Sequence, residues 1–293
     1  MENVLVVGAG FMGAGIAQVC AQAGRRVFLM DTNPEALSKA QAGIAASLAK
    51  LAAKGLLAEA PETVLGRISA GADLAPAAAA DWVIEAAFEN LPLKLELFAE
   101  LDRLAPAMTP LASNTSSIPI TRLAEATKHP ARVLGLHFFG PVPLMGLVEV
   151  VKGARTAEAV FQRGAAFIKA IGKTPVMVAR DIPGFVMNRV FAAAMREAVD
   201  LVAAGVVSPE DLDAGMRLGY GWAAGPFEIA DNAGLDTCVL INRFLTSMGE
   251  TALVPRHDLM EGMVKAGRVG RKAGKGFYRY DATGKRHPWR DQD

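Results

Sequence analysis

The sequence is poor in cysteine, has no excess of charge of either sign and contains no long uninterrupted apolar stretch. Cys20 and Cys238 are lone thiols without metal-like spacing, which is typical of a reducing compartment. The 31 basic and 30 acidic residues nearly cancel, so no basic surplus indicates nucleic-acid binding. No apolar stretch is long enough for a bilayer, and the N-terminus enters a predicted strand without room for a signal peptide. We expect a cytoplasmic protein with no metal, nucleic-acid or membrane site.

A glycine-rich turn follows the first predicted strand, Asn3–Val7, and opens a helix that runs to about Gly24. The first glycine permits a tight turn, the second leaves room for a pyrophosphate, and the third lets helix and strand pack closely. The helix N-terminus supplies N–H donors and the positive end of a dipole. This order of strand, glycines and helix predicts a dinucleotide site. Its expected cofactor contacts are Gly8, Gly10, Phe11, Met12 and Gly13.

The second predicted strand, Arg26–Met30, ends in Asp31. An acidic residue at this spacing binds the ribose hydroxyls of a dinucleotide, although an Asp that only begins a turn is the structural alternative. Because its carboxylate would repel a 2′-phosphate, Asp31 favours NAD over NADP as the cofactor.

A long alanine-rich helix is predicted over residues 34–54, with Ser47, Lys50 and Lys54 spaced by three and four. Side chains at this spacing share one face of a helix. On spacing alone, such a face is solvated and carries no function.

Polar residues follow two further predicted strands, 81–85 and 110–113. Glu89 follows the first of them, ahead of a helix that carries Lys94, and Asn114 and Ser116 follow the second. Ligands of such sheets bind at the carboxyl ends of strands, but Glu89 and either Ser116 or Ser117 are also candidates for helix capping. Since no nucleophile-elbow glycines surround Ser116, we favour a hydrogen-bond donor over a nucleophile.

Residues 134–150 are expected to form a strand, a tight Gly-Pro-Val-Pro turn and a second strand. Each apolar run carries one group that does not suit an apolar strand, His137 in the first and Glu149 in the second. A buried carboxylate is costly without a partner, and Glu149 would fix the imidazole tautomer of a general base. A core histidine in a structural ion pair is the alternative.

The pattern changes at Pro183-Gly184, after the last predicted strand, 174–178. Beyond this break every periodic segment from residue 185 to 264 is helical. At 293 residues the chain is long enough for two domains, though one large domain is possible. We predict an α/β fold: an N-terminal Rossmann-type domain with a mostly parallel sheet (residues 1–182), then an all-α C-terminal domain (residues 183–293).

Six motifs carry a resemblance to a known family. GAGFMGAGIA, SNTSS, LHFFGPVPLMGLVEV, DIPGFVMNR, GPFEIAD with AGLD, and GKGFY follow one another in this order. Over essentially its whole length the chain resembles the L-3-hydroxyacyl-CoA dehydrogenases, which include the 3-hydroxybutyryl-CoA dehydrogenases. The resemblance implies reversible hydride transfer between NAD and the β-carbon of an acyl-CoA, as in fatty-acid β-oxidation. It also implies a homodimer that forms through the C-terminal domain.

The resemblance also implies roles for individual residues. His137 resembles the catalytic base and Glu149 the acid that orients it. Ser116 resembles the residue that hydrogen-bonds the substrate oxygen, and Asn188 the asparagine that reaches in from the second domain. The implied cofactor contacts beyond the glycine turn are Asp31, Glu89, Lys94, Asn114 and Ser116. The implied acyl-CoA contacts are Ser47, Lys50, Lys54, Ser116 and Asn188; the lysines suit the phosphates of CoA.

Two glycines depart from the family pattern. Family members usually carry Asn in place of Gly140 and commonly Lys in place of Gly146. We expect the missing side chain at Gly140 to open space beside the reacting carbon, so that bulkier or branched acyl groups fit; neutral drift is the alternative.

Three other functions compete with this interpretation. A dehydrogenase of a free hydroxy acid would need a cation near the His–Glu pair and would have no use for Lys50 and Lys54. A non-catalytic NAD-binding relative would not need an intact set of Ser116, His137, Glu149 and Asn188. A serine hydrolase is disfavoured by the complete dinucleotide fingerprint.

Overall fold

The chain divides into two compact units, Met1–Ile182 and Pro183–Asp293. The computed structural model describes residues 2–289 of the chain.

The first unit is built on one sheet of eight strands in the order β3-β2-β1-β4-β5-β6-β7-β8. All neighbouring strands are parallel except β6 and β7, which pair antiparallel. The predicted mostly parallel sheet is confirmed. The strands are β1 (Asn3–Val7), β2 (Arg26–Met30), β3 (Ile68–Gly71), β4 (Trp82–Glu85), β5 (Leu111–Ser113), β6 (Val133–Phe138), β7 (Leu147–Val151) and β8 (Thr174–Val178).

Two of the long helices of this unit begin at an asparagine cap. The Asn33 side chain accepts hydrogen bonds from the backbone N–H groups of Glu35 and Ala36, and Asn90 accepts one from Leu93, which satisfies donors that a helix N-terminus leaves open. The helices are α1 (Phe11–Gln22), α2 (Pro34–Ala53), α3 (Pro61–Leu65), α4 (Leu91–Leu104), α5 (Ile120–Glu125) and α6 (Glu158–Ala170).

Both faces of the central strands are buried. In β1, Leu5 and Val6 are 1% and 0% exposed, and in β4, Val83 and Ile84 are both 0% exposed. Successive strand residues point to opposite faces, so layers cover the sheet on both sides, as parallel sheets require. Each such side chain contributes about 1.5–3 kcal/mol on burial. Because the sheet is packed on both faces, the positions of its strand ends are fixed.

The connection between β6 and β7 is longer than the sequence suggests. The predicted turn lies at residues 141–144, where the N–H of Leu144 donates to the carbonyl of Pro141 (2.9 Å), but it is part of a longer loop, residues 139–146, between the two strands. The loop packs on α1, where a side chain at Gly15 would lie 2.8 Å from Val142. Lys173 anchors the loop by donating hydrogen bonds to the carbonyls of Val142 (2.7 Å) and Met145 (2.6 Å).

The second unit is helical, as predicted, with the addition of one short antiparallel strand pair near its C-terminus. Its helices are α7 (Met187–Ala203), α8 (Pro209–Tyr220), α9 (Pro226–Ala233), α10 (Leu235–Ser247) and α11 (Leu259–Lys265), and its strands are β9 (Tyr278–Tyr280) and β10 (Arg286–Pro288).

Asp231 of α9 explains two of the sequence motifs of this unit. Its buried carboxylate accepts hydrogen bonds from the backbone N–H groups of Phe277 (2.9 Å) and Tyr278 (3.0 Å). A Cβ at Gly276 would lie 2.1 Å from the same carboxylate, so only glycine lets the chain approach it. Burial raises the pKa of Asp231 despite these bonds. The acidic motif of α9 and the glycine motif before β9 are therefore two halves of one contact.

Within residues 2–289, none of the helices combines the length and apolar character needed to cross a membrane. The same part of the chain holds no group of three or more His, Cys, Asp or Glu side chains arranged to bind a metal ion.

Candidate active site

The glycine-rich turn has the geometry that a dinucleotide requires. Gly8 has a φ of 103°, and a Cβ there would lie 2.5 Å from the carbonyl oxygen of Ala86. A Cβ at Gly13 would lie 1.8 Å from the carbonyl oxygen of Gly8, whereas a Cβ at Gly10 would meet no atom within 4 Å. Two of the glycines thus allow close packing, and the third leaves space at the N-terminus of α1. These features fit a bound pyrophosphate.

Asp31 joins this turn to the end of β2. Its Oδ2 accepts a hydrogen bond from the N–H of Ala9 (2.7 Å), and its Oδ1 accepts one from Asn33 (2.9 Å). The bond to Asn33 is the contact expected of an Asp that begins a turn. The bond to Ala9 places the carboxylate against the glycine turn. Because a carboxylate has about four acceptor positions, Asp31 retains capacity for ribose hydroxyls.

The antiparallel pairing of β6 with β7 brings His137 and Glu149 directly opposite each other. The Nδ1 of His137 lies 2.7 Å from Oε2 of Glu149. Glu149 is fully buried and His137 is 6% exposed, and the Phe139 ring lies beside the imidazole with 4.6 Å between ring centroids. A carboxylate held in this way fixes the orientation and tautomer of the imidazole.

The loop after β5 carries Ser116 at the same edge of the sheet. The predicted capping role of Ser116 or Ser117 is wrong, because Pro119 occupies the N-cap position of α5 without a side-chain bond. Instead the hydroxyl of Thr115 accepts hydrogen bonds from the N–H groups of Ser117 (3.2 Å) and Ile118 (2.9 Å). Ser116 itself is exposed, and among residues 2–289 its hydroxyl has no hydrogen-bond partner in the structure. The loop therefore presents this hydroxyl outward.

Asn114 ties this loop to the strand that carries His137. Its backbone N–H donates to the carbonyl of Glu85 (2.7 Å), and its Oδ1 accepts a hydrogen bond from the N–H of Phe138 (2.9 Å). Phe138 follows His137 directly, so Asn114 holds the end of β6 next to the Ser116 loop. This contact lies beyond the cofactor role that the sequence suggests for Asn114.

A buried ion pair between Lys94 and Glu85 lies beside the same loop. Glu85 was not among the site residues predicted from the sequence. Glu85, at the end of β4, is 0% exposed and accepts from the ammonium of Lys94 (2.7 Å) and the hydroxyl of Ser113 (2.6 Å). Lys94 is only 1% exposed and also contacts Glu89 at 2.9 Å. The ammonium of Lys94 is therefore buried between two carboxylates, those of Glu85 and Glu89.

Glu89 connects this ion pair to the Ser116 loop. It accepts hydrogen bonds from the hydroxyls of Thr115 and Ser117, on either side of Ser116. Burial raises the pKa of Glu89, but Lys94 and the two hydroxyls outweigh it and hold that pKa below its usual value. Glu89 is therefore a carboxylate that fixes the backbone around Ser116, and it does not cap α4, whose cap is Asn90.

A groove of about 860 Å³ runs between α1, α2 and the 139–146 loop. Ser47, Lys50 and Lys54 all line this groove. They lie outside the buried set of α2, which is Ala40, Ile44 and Leu48. Lys39, which the sequence did not single out, lines the same groove. Part of the lining is apolar and includes Phe11, Pro141, Val142 and Leu144.

The two departing glycines differ in their surroundings. The expected open space at Gly140 is not there, because a Cβ at this position would lie 2.6 Å from Cε1 of Phe11. At Gly146 a Cβ would meet nothing within 4 Å. Asn188, the remaining predicted site residue, belongs to the second unit and lies in the first turn of α7.

Comparison with known protein families gives two adjacent matches. Residues 3–182 match the 3-hydroxyacyl-CoA dehydrogenase NAD binding domain, and residues 184–280 match the C-terminal domain of the same family. The dinucleotide that fits the glycine turn is therefore NAD.

Individual relatives agree with this assignment. A probable 3-hydroxybutyryl-CoA dehydrogenase of Deinococcus radiodurans is 46% identical over 94% of this chain and 99% of that protein. A protein of Bacillus subtilis with the same name is 45% identical over 96% and 98%. The crystal structure of (S)-3-hydroxybutyryl-CoA dehydrogenase from Ralstonia eutropha superimposes with a TM-score of 0.89 at 40% identity, covering 96% of this chain and 99% of that one. The chain belongs to the 3-hydroxyacyl-CoA dehydrogenase family.

Proposed function

We propose that this protein interconverts an L-3-hydroxyacyl-CoA and a 3-ketoacyl-CoA with NAD, in fatty-acid metabolism of the β-oxidation type. The observation that carries the proposal is the buried His137–Glu149 pair, 2.7 Å apart, at the carboxyl edge of a dinucleotide-binding sheet. A structural ion pair alone would not need the exposed Ser116 hydroxyl on the neighbouring loop. Together these groups provide a proton acceptor and a hydrogen-bond donor at one place.

In the oxidative direction His137 removes the proton of the 3-hydroxyl group. Because Nδ1 is held by Glu149, the proposal assigns proton exchange to Nε2. The carboxylate of Glu149 stabilises the imidazolium that forms, which favours proton transfer at this position. In the reductive direction the same imidazolium returns the proton to the oxygen.

Ser116 and Asn188 are assigned to the substrate oxygen. Donors aimed at an oxygen that gains or loses charge stabilise the transition state. Ser116 is supported by its exposed position between Thr115 and Ser117, and Asn188 by its match to the family motif. NAD, when bound, supplies the hydride acceptor.

The groove on α2 is assigned to the CoA portion of the substrate. Lys50 and Lys54, about one helical turn apart at the end of α2, place two neighbouring cations on the groove, and Lys39 adds a third nearer the start of the helix; such cations suit phosphate groups. The apolar lining at the 139–146 loop suits the remainder of a thioester substrate. A free hydroxy acid would use neither the length nor the charge of this groove.

The test of the proposed function compares two substrates with the same keto acid. NADH oxidation is followed at 340 nm with acetoacetyl-CoA and, separately, with free acetoacetate. We expect turnover with the CoA thioester and a far lower kcat/KM with the free acid. Equal activity on both would favour a hydroxy-acid dehydrogenase, and inactivity on both would favour a non-catalytic NAD-binding protein.

We expect NADH to be preferred over NADPH because of Asp31. A 2′-phosphate about 4 Å from its carboxylate would cost roughly 1–4 kcal/mol, depending on the local dielectric, which is a preference of about 5- to 1000-fold in kcat/KM. Asp31→Asn should narrow this ratio. The matched control is Asp73→Asn, which removes an exposed carboxylate that likewise accepts a backbone bond, from Ala75, and should not change the ratio. Equal kcat/KM for NADH and NADPH in the wild-type enzyme would contradict the assignment.

We propose a homodimer that forms through the second unit, in the cytoplasm. Large apolar side chains are exposed on this unit, among them Leu218 (88%) on α8 and Leu240 (63%) on α10, and a second copy would remove them from water. The two cysteines are free and buried, which agrees with a reducing compartment.

Sedimentation velocity at micromolar concentration should show a species of twice the chain mass. We expect Leu240→Glu to shift this species toward monomer, because a charge would replace an apolar contact at the interface. Met108→Glu changes an equally apolar side chain, 82% exposed on the first unit, and should leave the dimer intact. A monomeric wild-type protein at these concentrations would refute the proposed assembly.

A further inference from the structure

The Phe11 ring and a side chain at position 140 would compete for the same space. A Cβ built at Gly140 lies 2.6 Å from Cε1 and 3.3 Å from Cζ of Phe11, and 3.4 Å from the sulfur of Met12. The first distance is shorter than real Cβ contacts allow. The absent side chain at Gly140 and the large ring at Phe11 are therefore complementary, and the ring fills volume that would otherwise open into the groove.

This ring belongs to the groove and not to the core. Phe11 is 70% exposed, yet it lines the groove on α2 together with Pro141 and Leu144. As the first residue of α1, it follows the glycine turn, so its backbone faces the cofactor site while its side chain covers Gly140. Removal of an exposed ring leaves no cavity in the core, so the fold should tolerate small residues here.

The ring also lies near the reacting centre. Gly140 follows His137 by three residues in the loop after β6, which places their Cα atoms at most roughly 11 Å apart. The Phe11 ring, which lies against Gly140, is thus within reach of substrate atoms near the reacting carbon. The CoA phosphates, by contrast, are assigned to Lys50 and Lys54 at the end of α2.

We propose that Phe11 is a specificity-determining residue, whose ring against Gly140 restricts the acyl group to one without a branch beside the reacting carbon. This inference rests on the proposed function and adds the size of its substrate. It reverses the expectation that the glycine at position 140 leaves a wider pocket, because the ring occupies that space.

The test uses kcat/KM for acetoacetyl-CoA and for 2-methylacetoacetyl-CoA with NADH. The wild-type enzyme should favour the straight chain. Phe11→Ala should raise the branched-to-straight ratio at least about 10-fold, since one methyl group in a shaped pocket changes kcat/KM by roughly 10–200-fold. Phe11→Leu should give an intermediate ratio. Phe88→Ala, which removes another exposed ring (79%) outside this groove, should change the ratio less than about two-fold.

A double-mutant cycle tests the contact itself. Gly140→Ala should lower kcat/KM for both substrates about 10-fold in the wild-type background, because the methyl group pushes the ring into the groove. In the Phe11→Ala background the same change should have an effect below about three-fold, and this difference is the coupling between the two positions. The KM for NADH separates any disturbance of the glycine turn from an effect on substrate size.

Each failure has a distinct meaning. If Phe11→Ala leaves the ratio unchanged, or if Gly140→Ala acts equally in both backgrounds, Phe11 does not determine specificity, although the enzyme remains an acyl-CoA dehydrogenase. If the wild-type enzyme oxidises no NADH with acetoacetyl-CoA, the proposed function itself is wrong.

Discussion

We expect His137→Gln to lower kcat by about 10²–10⁴-fold, the usual contribution of a positioned general base. Glutamine retains a polar group opposite Glu149 but cannot accept and hold the substrate proton near neutral pH. The KM for NADH should change little, because the predicted NAD contacts, the glycine turn and Asp31, follow β1 and β2, whereas His137 belongs to β6. The measurement is steady-state kinetics of NADH oxidation with acetoacetyl-CoA.

His129 provides the matched control for this change. It also contacts a carboxylate, with 3.2 Å between its Nδ1 and Oδ1 of Asp102, but it precedes β6, so it lies toward the opposite end of that strand from His137. His129→Gln should leave kcat within about two-fold of wild type. Near-wild-type kcat in His137→Gln, together with a deuterium isotope effect from 4-deuterated NADH that shows hydride transfer to be limiting, would disprove the role of His137.

Glu149→Gln separates the base from the group that orients it. We expect a lower kcat and an unchanged KM for NADH, since Glu149 acts only through the imidazole. The loss should not add to that of His137→Gln in the double variant, because residues that act as a unit are not additive. Full additivity would indicate that Glu149 contributes separately from His137.

Local sequence patterns predicted those site residues that do not suit the sequence around them. His137 and Glu149 stood out because ionisable groups in apolar strands need partners, and the antiparallel register supplied the pairing. The glycine turn was predictable for a similar reason. Gly8 and Gly13 lie where any side chain would collide with backbone, so their spacing reflects the fold directly.

The remaining contacts depend on residues that are distant in the sequence. Glu85 carried the same signal as Glu149, a charge in a buried strand, but its partner Lys94 lies beyond a loop, in the first turn of α4. Thr115, and not its neighbours, became the residue that accepts the N–H groups of the loop, because Glu89 accepts a hydrogen bond from its hydroxyl and holds it in place. Within a run of small polar residues, propensity does not distinguish one hydroxyl from the next. The contact between Phe11 and Gly140 joins residues that are far apart in the sequence, so no local pattern predicts it.

Lys94→Met should destabilise the first unit by about 3–5 kcal/mol, because it leaves the carboxylate of Glu85 buried without its cation. For a unit of this size such a loss lowers Tm by roughly 6–20 °C. Calorimetry measures the shift, with Lys169→Met as the control. Lys169 is exposed near the end of α6, and the same chemical change there should cost less than about 1 kcal/mol.

A second variant distinguishes the buried charge from the loss of packing around Lys94. In Glu85→Gln/Lys94→Met the neutral amide can still accept from Ala87 N–H, which donates to Glu85 at 2.7 Å in the wild-type protein, and no buried charge remains. We expect this double variant to regain most of the lost stability, within about 2 kcal/mol of wild type. Below its Tm, Lys94→Met should also have a reduced kcat, since Glu89 loses the cation that holds it against Thr115 and Ser117. If Lys94→Met lowers Tm no more than Lys169→Met does, the ion pair does not stabilise the site, and the Ser116 loop must be held by its hydroxyl contacts alone.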